Sequence, residues 1–434
     1  MASGGAGRAG CGGRSHEVET GQKKEHIGPT LTKYLESGLQ MLRQFRVRNF
    51  LSFREWQTLD LAVAANAPDL PGRFVHPILG TKDRFPTFVA IFGANASGKT
   101  NMLRAIAFLA NFMRSSQGGP ANARLPMAQF YGEGQDEEPT EFEVELDGKF
   151  GNSGKREVFR YRLVVSHDQE RVLEEELVYF PLGRPKRLFS RRGQDFRFGG
   201  DYHIRGNDPT IPKIRENSSV VSTLAQFNHS ISVDICRNLS FLYTNVEDVF
   251  GNREEAAPSA ADSYFHSEGL RKEFLEFSRR FDIGIEKVEI VITNGGMEPL
   301  FFHRGVHRPI SRAAESHGTN MVYNLFPTLF YAMQRGGVAV IDELDNAIHS
   351  LLVPEIVDLF VDPDRNPLRA QLIAVCHNPS TLQYLEKEEI YFTEKSSEGA
   401  TSIYGLKDIR GVRRESNIYA NYLAGAFGGV PKIA

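Results

Sequence analysis

The sequence predicts an α/β fold built around a parallel sheet, and three stretches carry that expectation. Residues 88–93 (FVAIFG) form an apolar run that enters a glycine-rich turn. Residues 101–114 (NMLRAIAFLANFMR) follow, apolar at helical spacing and free of Gly and Pro. Residues 337–344 (GVAVIDEL) and 372–377 (LIAVCH) are two further short runs of β-branched and small apolar residues, each ending in polar side chains. Runs that are apolar at nearly every position suit strands covered on both faces. Residues 141–146 (EFEVEL), 157–166 and 174–180 alternate instead, as antiparallel strands with one solvated face do.

The turn after the first run is Gly93, Ala94, Asn95, Ala96, Ser97, Gly98, Lys99 and Thr100, which fits G-x-x-x-x-G-K-[ST]. Small residues let consecutive backbone N–H groups turn inward on an anion, and the helix that follows favours negative charge at its N-terminus. In such a loop Gly93, Asn95, Ala96, Ser97 and Gly98 line the phosphates, Lys99 reaches the β- and γ-phosphates, and the Thr100 hydroxyl sits on Mg2+. The run at 337–344 supplies the other half of the site, because it ends in Asp342 and Glu343. An acid at the C-terminal end of a parallel strand beside the loop can hold the hydration shell of Mg2+, and the next acid can orient or deprotonate the attacking water. The expected chemistry is Mg2+-dependent hydrolysis of a nucleoside triphosphate.

Three further segments narrow the class. Residues 315–319 (ESHGT) open an apolar helical stretch, so Ser316 and Gly318 lie at a helix N-terminus; this is an anion-binding position and equally an ordinary helix cap. His377 ends the third apolar run, where by itself it reads as well as a strand-end histidine. Residues 345–349 (DNAIH) follow the acidic pair, and His349 receives no role. The order P-loop, Ser-x-Gly, Asp-Glu, His resembles the ABC-type AAA ATPases, the group that includes RecF, SMC-like heads and the ATPase half of OLD-family nucleases. Residues 41–53 (MLRQFRVRNFLSF), 215–229 (RENSSVVSTLAQFNH) and 417–433 (NIYANYLAGAFGGVPKI) bring the resemblance nearest to the restriction-linked, RloA-like ATPases of bacteria, over residues 41–434.

That resemblance implies a P-loop NTPase head of ABC type with an antiparallel β lobe and an inserted helical lobe. It implies that Ser316 and Gly318 form the signature that meets the nucleotide of a second copy in an ATP-dependent, head-to-head dimer. Glu343 and His377 would be catalytic, with His377 sensing the γ-phosphate, and Gln129 would sense Mg2+ and water, although a plain loop residue fits Gln129 as well. The implied role is to switch a separate effector protein, such as a nuclease, in antiviral or restriction-linked defence. A RecF-like DNA-repair ATPase that itself grips DNA is the main alternative. An ATP-dependent sensor scaffold with slow turnover is the other, and the intact Asp342–Glu343 pair weighs against it.

Four divisions are expected: a disordered extension over 1–40, an N-terminal half of the head over 41–210, an inserted helical lobe over 211–285, and a C-terminal half over 286–434. Six of the first thirteen residues are Gly and no period is visible before Met41, so Met41 reads as the natural start. Residues 114–315 hold no sustained heptad repeat, which argues against long coiled-coil arms. The stretch after His377 is too short for a nuclease domain, so a nuclease is expected only as a separate partner. Residues 184–198 (RPKRLFSRRGQDFRF) interleave six basic residues with three phenylalanines, a pattern that suits either nucleic-acid contact or a half-solvated hairpin.

With 434 residues the chain has room for two lobes, and its formal net charge of −3 gives no global attraction to nucleic acid. Cys11, Cys236 and Cys376 are too far apart for a zinc site or a disulfide framework, which fits a reducing cytoplasm. No run approaches the length of a membrane span.

Overall fold

The computed structural model describes residues 41–78, 80–132, 137–149, 156–240, 242–246, 259–280, 284–346 and 348–431. The extension expected over 1–40 lies outside the described residues. The chain begins with β1 (Met41–Arg48), β2 (Gln57–Asp60), the short pair β3 (Phe74–Val75) and β4 (Phe85–Pro86), and then β5 (Phe88–Gly93) and helix α1 (Lys99–Ser115). Five strands follow: β6 (Thr140–Lys149), β7 (Arg156–Val165), β8 (Val172–Tyr179), β9 (Lys186–Arg192) and β10 (Asp195–Phe198). Helices α2 (Val220–Gln226) and α3 (Ser230–Leu239) lead to β11 (Leu242–Thr244), and α4 (Ala260–His266) and α5 (Glu268–Arg280) come next. After β12 (Ile285–Thr293), β13 (Gly296–His303) and β14 (Ile310–Ser311), helix α6 (His317–Arg335) runs into β15 (Val338–Ile341). The remainder is α7 (Val353–Val361), β16 (Gln371–Val375), β17 (Ile390–Lys395), β18 (Thr401–Gly405) and α8 (Ile418–Leu423).

Two sheets organise these elements. One is antiparallel throughout, in the order β10-β9-β8-β7-β6-β1-β2. The other has the order β11-β15-β16-β5-β17-β18 and is parallel except for β18 at its edge. Successive side chains of a strand point to opposite faces, and here each face meets a different core. Val89 and Ile91 of β5, Val340 of β15 and Ile373 of β16 join the core that α1, α2 and α3 share with the antiparallel sheet. Phe88, Ala90, Phe92, Ile341 and Ala374 join a second core with α5, α6 and α7. The fold is thus mixed α/β, with a parallel sheet between helices and an antiparallel β lobe packed beside it.

Residues 211–285, expected as one inserted helical lobe, divide between the two cores. Helices α2 and α3 pack on α1, whereas α4 and α5 pack with α6. Between them β11 pairs in parallel with β15, aligning Leu242 with Val338, so this stretch also supplies an edge strand of the central sheet.

The loop before α2 holds the far end of α1. The Arg215 guanidinium donates to the carbonyls of Ser116, Gln117 and Gly119 at 2.8–3.0 Å, a cation placed on the carbonyl end of the helix. Ser219 N–H donates to Ser116 Oγ at 2.8 Å, and Asn217 donates to the Pro120 and Ala123 carbonyls. The same loop is fastened to the β lobe by fully buried Glu175. Its carboxylate accepts from Tyr161 Oη, Ser219 Oγ and Val220 N, and lies 3.4 Å from the guanidinium of fully buried Arg191. Arg191 also donates to the carbonyls of Gly193, Arg215, Glu216 and Ser218.

Of the two readings of 184–198, these contacts favour the half-solvated hairpin. The segment is the β9–β10 hairpin, and Arg191 is a core residue that no phosphate can reach. Lys186 pairs with Asp201, Arg187 with Glu176 and Arg192 with Glu174; Arg184 and Arg197 remain exposed. Phe189 is buried, and Phe196 and Phe198 stack in series on Tyr202. Removing one partner of a buried ion pair costs about 3–5 kcal/mol, whereas exposed pairs contribute about 0–1 kcal/mol. Arg191→Ala is therefore expected to lower the midpoint of chemical denaturation strongly and Arg187→Ala to change it little. Equal midpoints for the two variants would remove Arg191 from its core role.

Candidate functional site

The loop between β5 and α1 is shaped by its own backing. Ala96 and Gly98 adopt left-handed backbone, with φ of +61° and +100°. Glycine is required at the second position, since a Cβ there would collide with Thr401 Oγ1 and Ser52 Oγ. Thr401 Oγ1 lies 2.8 Å from both the Ser97 carbonyl oxygen and Ser52 Oγ, and Asn101 Nδ2 donates to the same Ser52 Oγ at 2.8 Å. Ser97 Oγ is 2.6 Å from Thr393 Oγ1 and buried. Ser97 therefore spends its hydroxyl on the frame behind the loop and offers an anion only backbone, while Asn95 and Ala96 are exposed at the front.

Lys99 is 5% exposed, and its Nζ donates to the Gly93 and Ala94 carbonyls at 2.8 and 2.9 Å. Burial pushes its pKa down, opposed by the nearby charges of Asp342, Asp345 and Glu343. One residue on, Thr100 Oγ1 donates to Asp342 Oδ1 at 3.2 Å, across 242 residues of sequence. The register explains this meeting: β16 lies between β5 and β15, pairing Ala374 with both Ala90 and Ile341, so the C-terminal ends of all three strands share one edge. Burial raises the pKa of Asp342, and the Thr100 bond opposes the rise. A hydroxyl and a carboxylate brought together in this way are the hard oxygen donors that suit Mg2+.

Glu343 follows with φ of +53°, an uncommon conformation for a non-glycine residue. Its neighbours hold it there. Asn245, just beyond β11, accepts from Asp342 N–H at 2.8 Å and donates to the Asp342 carbonyl at 3.0 Å, so its side chain continues the strand ladder where β11 ends. Leu344 N–H donates to the Val375 carbonyl at 3.0 Å, and Asn346 Nδ2 donates to Glu343 Oε2 at 2.7 Å. The Asp345 carboxylate is buried and accepts from the backbone N–H of His377 and of Asn378, while the His377 ring is exposed. Neither Asn245 nor the frame of Ser52, Thr393 and Thr401 carries a sequence signal. Asp345 could have been suspected only as a third acid close behind the pair.

Among the described residues the two remaining candidate groups make no hydrogen bond to this cluster. Ser316 caps α6, its Oγ accepting from Thr319 N–H at 3.0 Å, and Glu315 steadies the cap by accepting from Ser316 N–H and pairing with His303 at 2.6 Å. Gly318 lies in the first turn of α6. Helix α6 packs on β11 and β15 and runs back along them; its 19 residues span about 28 Å, against about 13 Å for four-residue β15. Its N-terminus therefore reaches the edge where the strands end. Among the described residues no hydrogen bond joins 316–319 to 93–100. Gln129 lies beside the turn at Asn49, and its Nε2 donates to the Glu138 carbonyl at 2.8 Å.

Among the described residues no helix is long and apolar enough to cross a membrane. A comparison with curated proteins gives no match. Among solved structures, the SMC head domain from Thermotoga maritima is 13% identical, with 84% of this chain and 98% of that one covered at a TM-score of 0.37. The Smc head domain with a coiled coil and joint from Pyrococcus yayanosii is 11% identical, with 89% and 99% covered at 0.44. Over residues 88–383, more than half of its length, the chain matches the family described as "AAA domain, putative AbiEii toxin, Type IV TA system", and the protein belongs to that AAA-domain family.

Proposed function

We propose that this protein is a Mg2+-dependent ATPase that closes head to head around ATP and uses turnover to switch a separate effector protein in bacterial antiviral or restriction-linked defence. The observation that carries the reading is the Thr100–Asp342 contact, with Lys99 alongside at the mouth of a glycine-shaped loop. In this reading the loop backbone and Lys99 bind the phosphates, and Thr100 and Asp342 hold Mg2+, which when bound offsets phosphate charge. Glu343 takes a proton from the attacking water, and His377 faces the γ-phosphate. The acid suited to that base is the exposed one, since Asp342 is occupied by Thr100.

Ser316 and Gly318 support a composite site. They sit on the same sheet edge as the loop yet bond only locally, which suits a helix end that serves a second copy of the chain. The family's description names a toxin of a Type IV TA system, which supports a defence role exercised with another protein. The RecF-like alternative has less support from the β9–β10 hairpin, which buries Arg191 and Phe189 and pairs Lys186, Arg187 and Arg192 with carboxylates.

Lys99→Ala is expected to abolish ATP binding, while Glu343→Gln binds ATP and turns over at least about 100-fold more slowly, because the first removes a ground-state phosphate contact and the second the base of the chemical step. Turnover in Glu343→Gln within about tenfold of wild type would take Glu343 out of catalysis.

The composite site is tested by mixing Lys99→Ala with Ser316→Arg, each expected to be inactive alone. A mixed dimer pairs one intact loop with one intact signature and should regain part of the activity. Absence of recovery, with mixed dimers detected by native mass spectrometry, would mean that Ser316 does not serve a partner's nucleotide.

A further inference from the structure

We propose that Asp345 is a positioning residue for His377: its carboxylate fixes the turn after β16 and thereby sets how strongly the site distinguishes ATP from ADP. The inference rests on the reading of His377 as the group that faces the γ-phosphate.

The strand ladder leaves this turn in need of an acceptor. Val375 is the last residue of β16, and Cys376 N–H still donates to the Ile91 carbonyl at 3.1 Å, but β5 and β15 offer nothing to the next two amides. Buried N–H groups are almost always paired. Here both are taken by one side chain. His377 N–H lies 2.9 Å from each Asp345 oxygen, and Asn378 N–H donates to Oδ2 at 2.6 Å. Bonds from N–H to a charged carboxylate are shorter and stronger than neutral ones. Asn378 then carries the order onward, its own side chain accepting from Ser380 N–H at 3.0 Å.

Asp345 is 9% exposed, and both of its oxygens are committed to backbone, so it is poorly placed to bind a metal or take a proton from water. Its charge acts on Lys99 together with those of Asp342 and Glu343. The carboxylate thus sits where the loop, the acidic pair and the histidine turn converge, and the exposed His377 ring inherits its direction from the backbone that Asp345 holds. Replacing the carboxylate by an amide keeps the shape but leaves one neutral oxygen for both N–H donors and sets an NH2 group against the His377 N–H. The turn should loosen without disturbing the phosphate loop.

The experiment compares Asp345→Asn, Asp345→Ala, His377→Ala and the Asp345→Asn/His377→Ala double variant, each also carrying Glu343→Gln so that ATP persists. ATP and ADP affinities are measured by calorimetry, and amide exchange over residues 376–380 by mass spectrometry. Asp345→Asn is expected to cut the ATP-over-ADP preference about tenfold, as His377→Ala does, with ADP affinity nearly unchanged and the double variant no worse than the stronger single. Exchange at 376–380 should quicken while other peptides keep their protection. Equal losses for ATP and ADP, or additive losses in the double variant, would overturn the proposal. An unaltered preference in His377→Ala would instead overturn the sensor reading and the route through His377; the clamp is then judged by exchange alone, and unchanged protection in Asp345→Asn would overturn that as well. Should Asp345→Ala fail to fold, the near-isosteric Asn variant carries the test.

Discussion

Because β16 is threaded between β5 and β15, residues that are hundreds of positions apart end on one edge of one sheet, and every group of the candidate site hangs from that parallel ladder. β5 delivers Gly93 and the loop, β15 delivers Asp342, and β16 delivers the turn at His377. Parallel strands must be joined by crossovers, so these three segments could meet only after the intervening helices had packed on both faces. The two cores on either side of the sheet are therefore conditions of the site's geometry. Val89 and Ile91 anchor one face, and Phe88, Ala90 and Phe92 the other.

On that edge the structure keeps charge close together at some cost. Lys99 and Asp342 are both substantially buried, and burial shifts each toward its neutral form. The opposing charges of three carboxylates around Lys99 and the Thr100 bond to Asp342 hold the arrangement. In the proposed reading such a site is arranged beforehand for a ligand that brings both signs, phosphate for the lysine and a divalent cation for the acids. The left-handed backbone at Glu343 belongs to the same economy, held by Asn245 before it and the Leu344–Val375 bond after it. A conformation of that kind persists only where its surroundings over-determine it.

The antiparallel lobe meets this machinery through Ser52 behind the loop and again at the opposite end of α1. Arg215 and Ser219 hold the turn that follows α1, and Glu175 and Arg191 hold the Arg215–Ser219 loop to the lobe. Helix α1 thus runs from the β5–α1 loop to a turn held by a buried charged network, and so links that loop to the β lobe. The stretch 215–229, which as sequence stood out only by resemblance, has this physical work.

What the sequence determined by itself was local. The phosphate loop is written in eight consecutive residues, the acidic pair ends an unbroken apolar run, and period-two alternation marks β6, β7 and β8 to within a few residues. Each is a matter of residue type at short spacing, where backbone freedom and strand period act directly. The tertiary structure decided whatever depended on burial and on long-range partners. Arg191 and Arg187 lie four residues apart on one strand, yet one is sealed against Glu175 and the other is exposed, because the β8–β9 register shifts at Leu188 and puts the two on opposite faces of β9. Residues 211–285 read as one helical stretch but serve two cores, since β11 finds its partner in β15 nearly a hundred residues later. Asn245, Asp345 and the Ser52–Thr393–Thr401 frame act through contacts spanning between 32 and 349 residues, and no spacing along the chain encodes a hydrogen bond made only once the strands have been laid side by side.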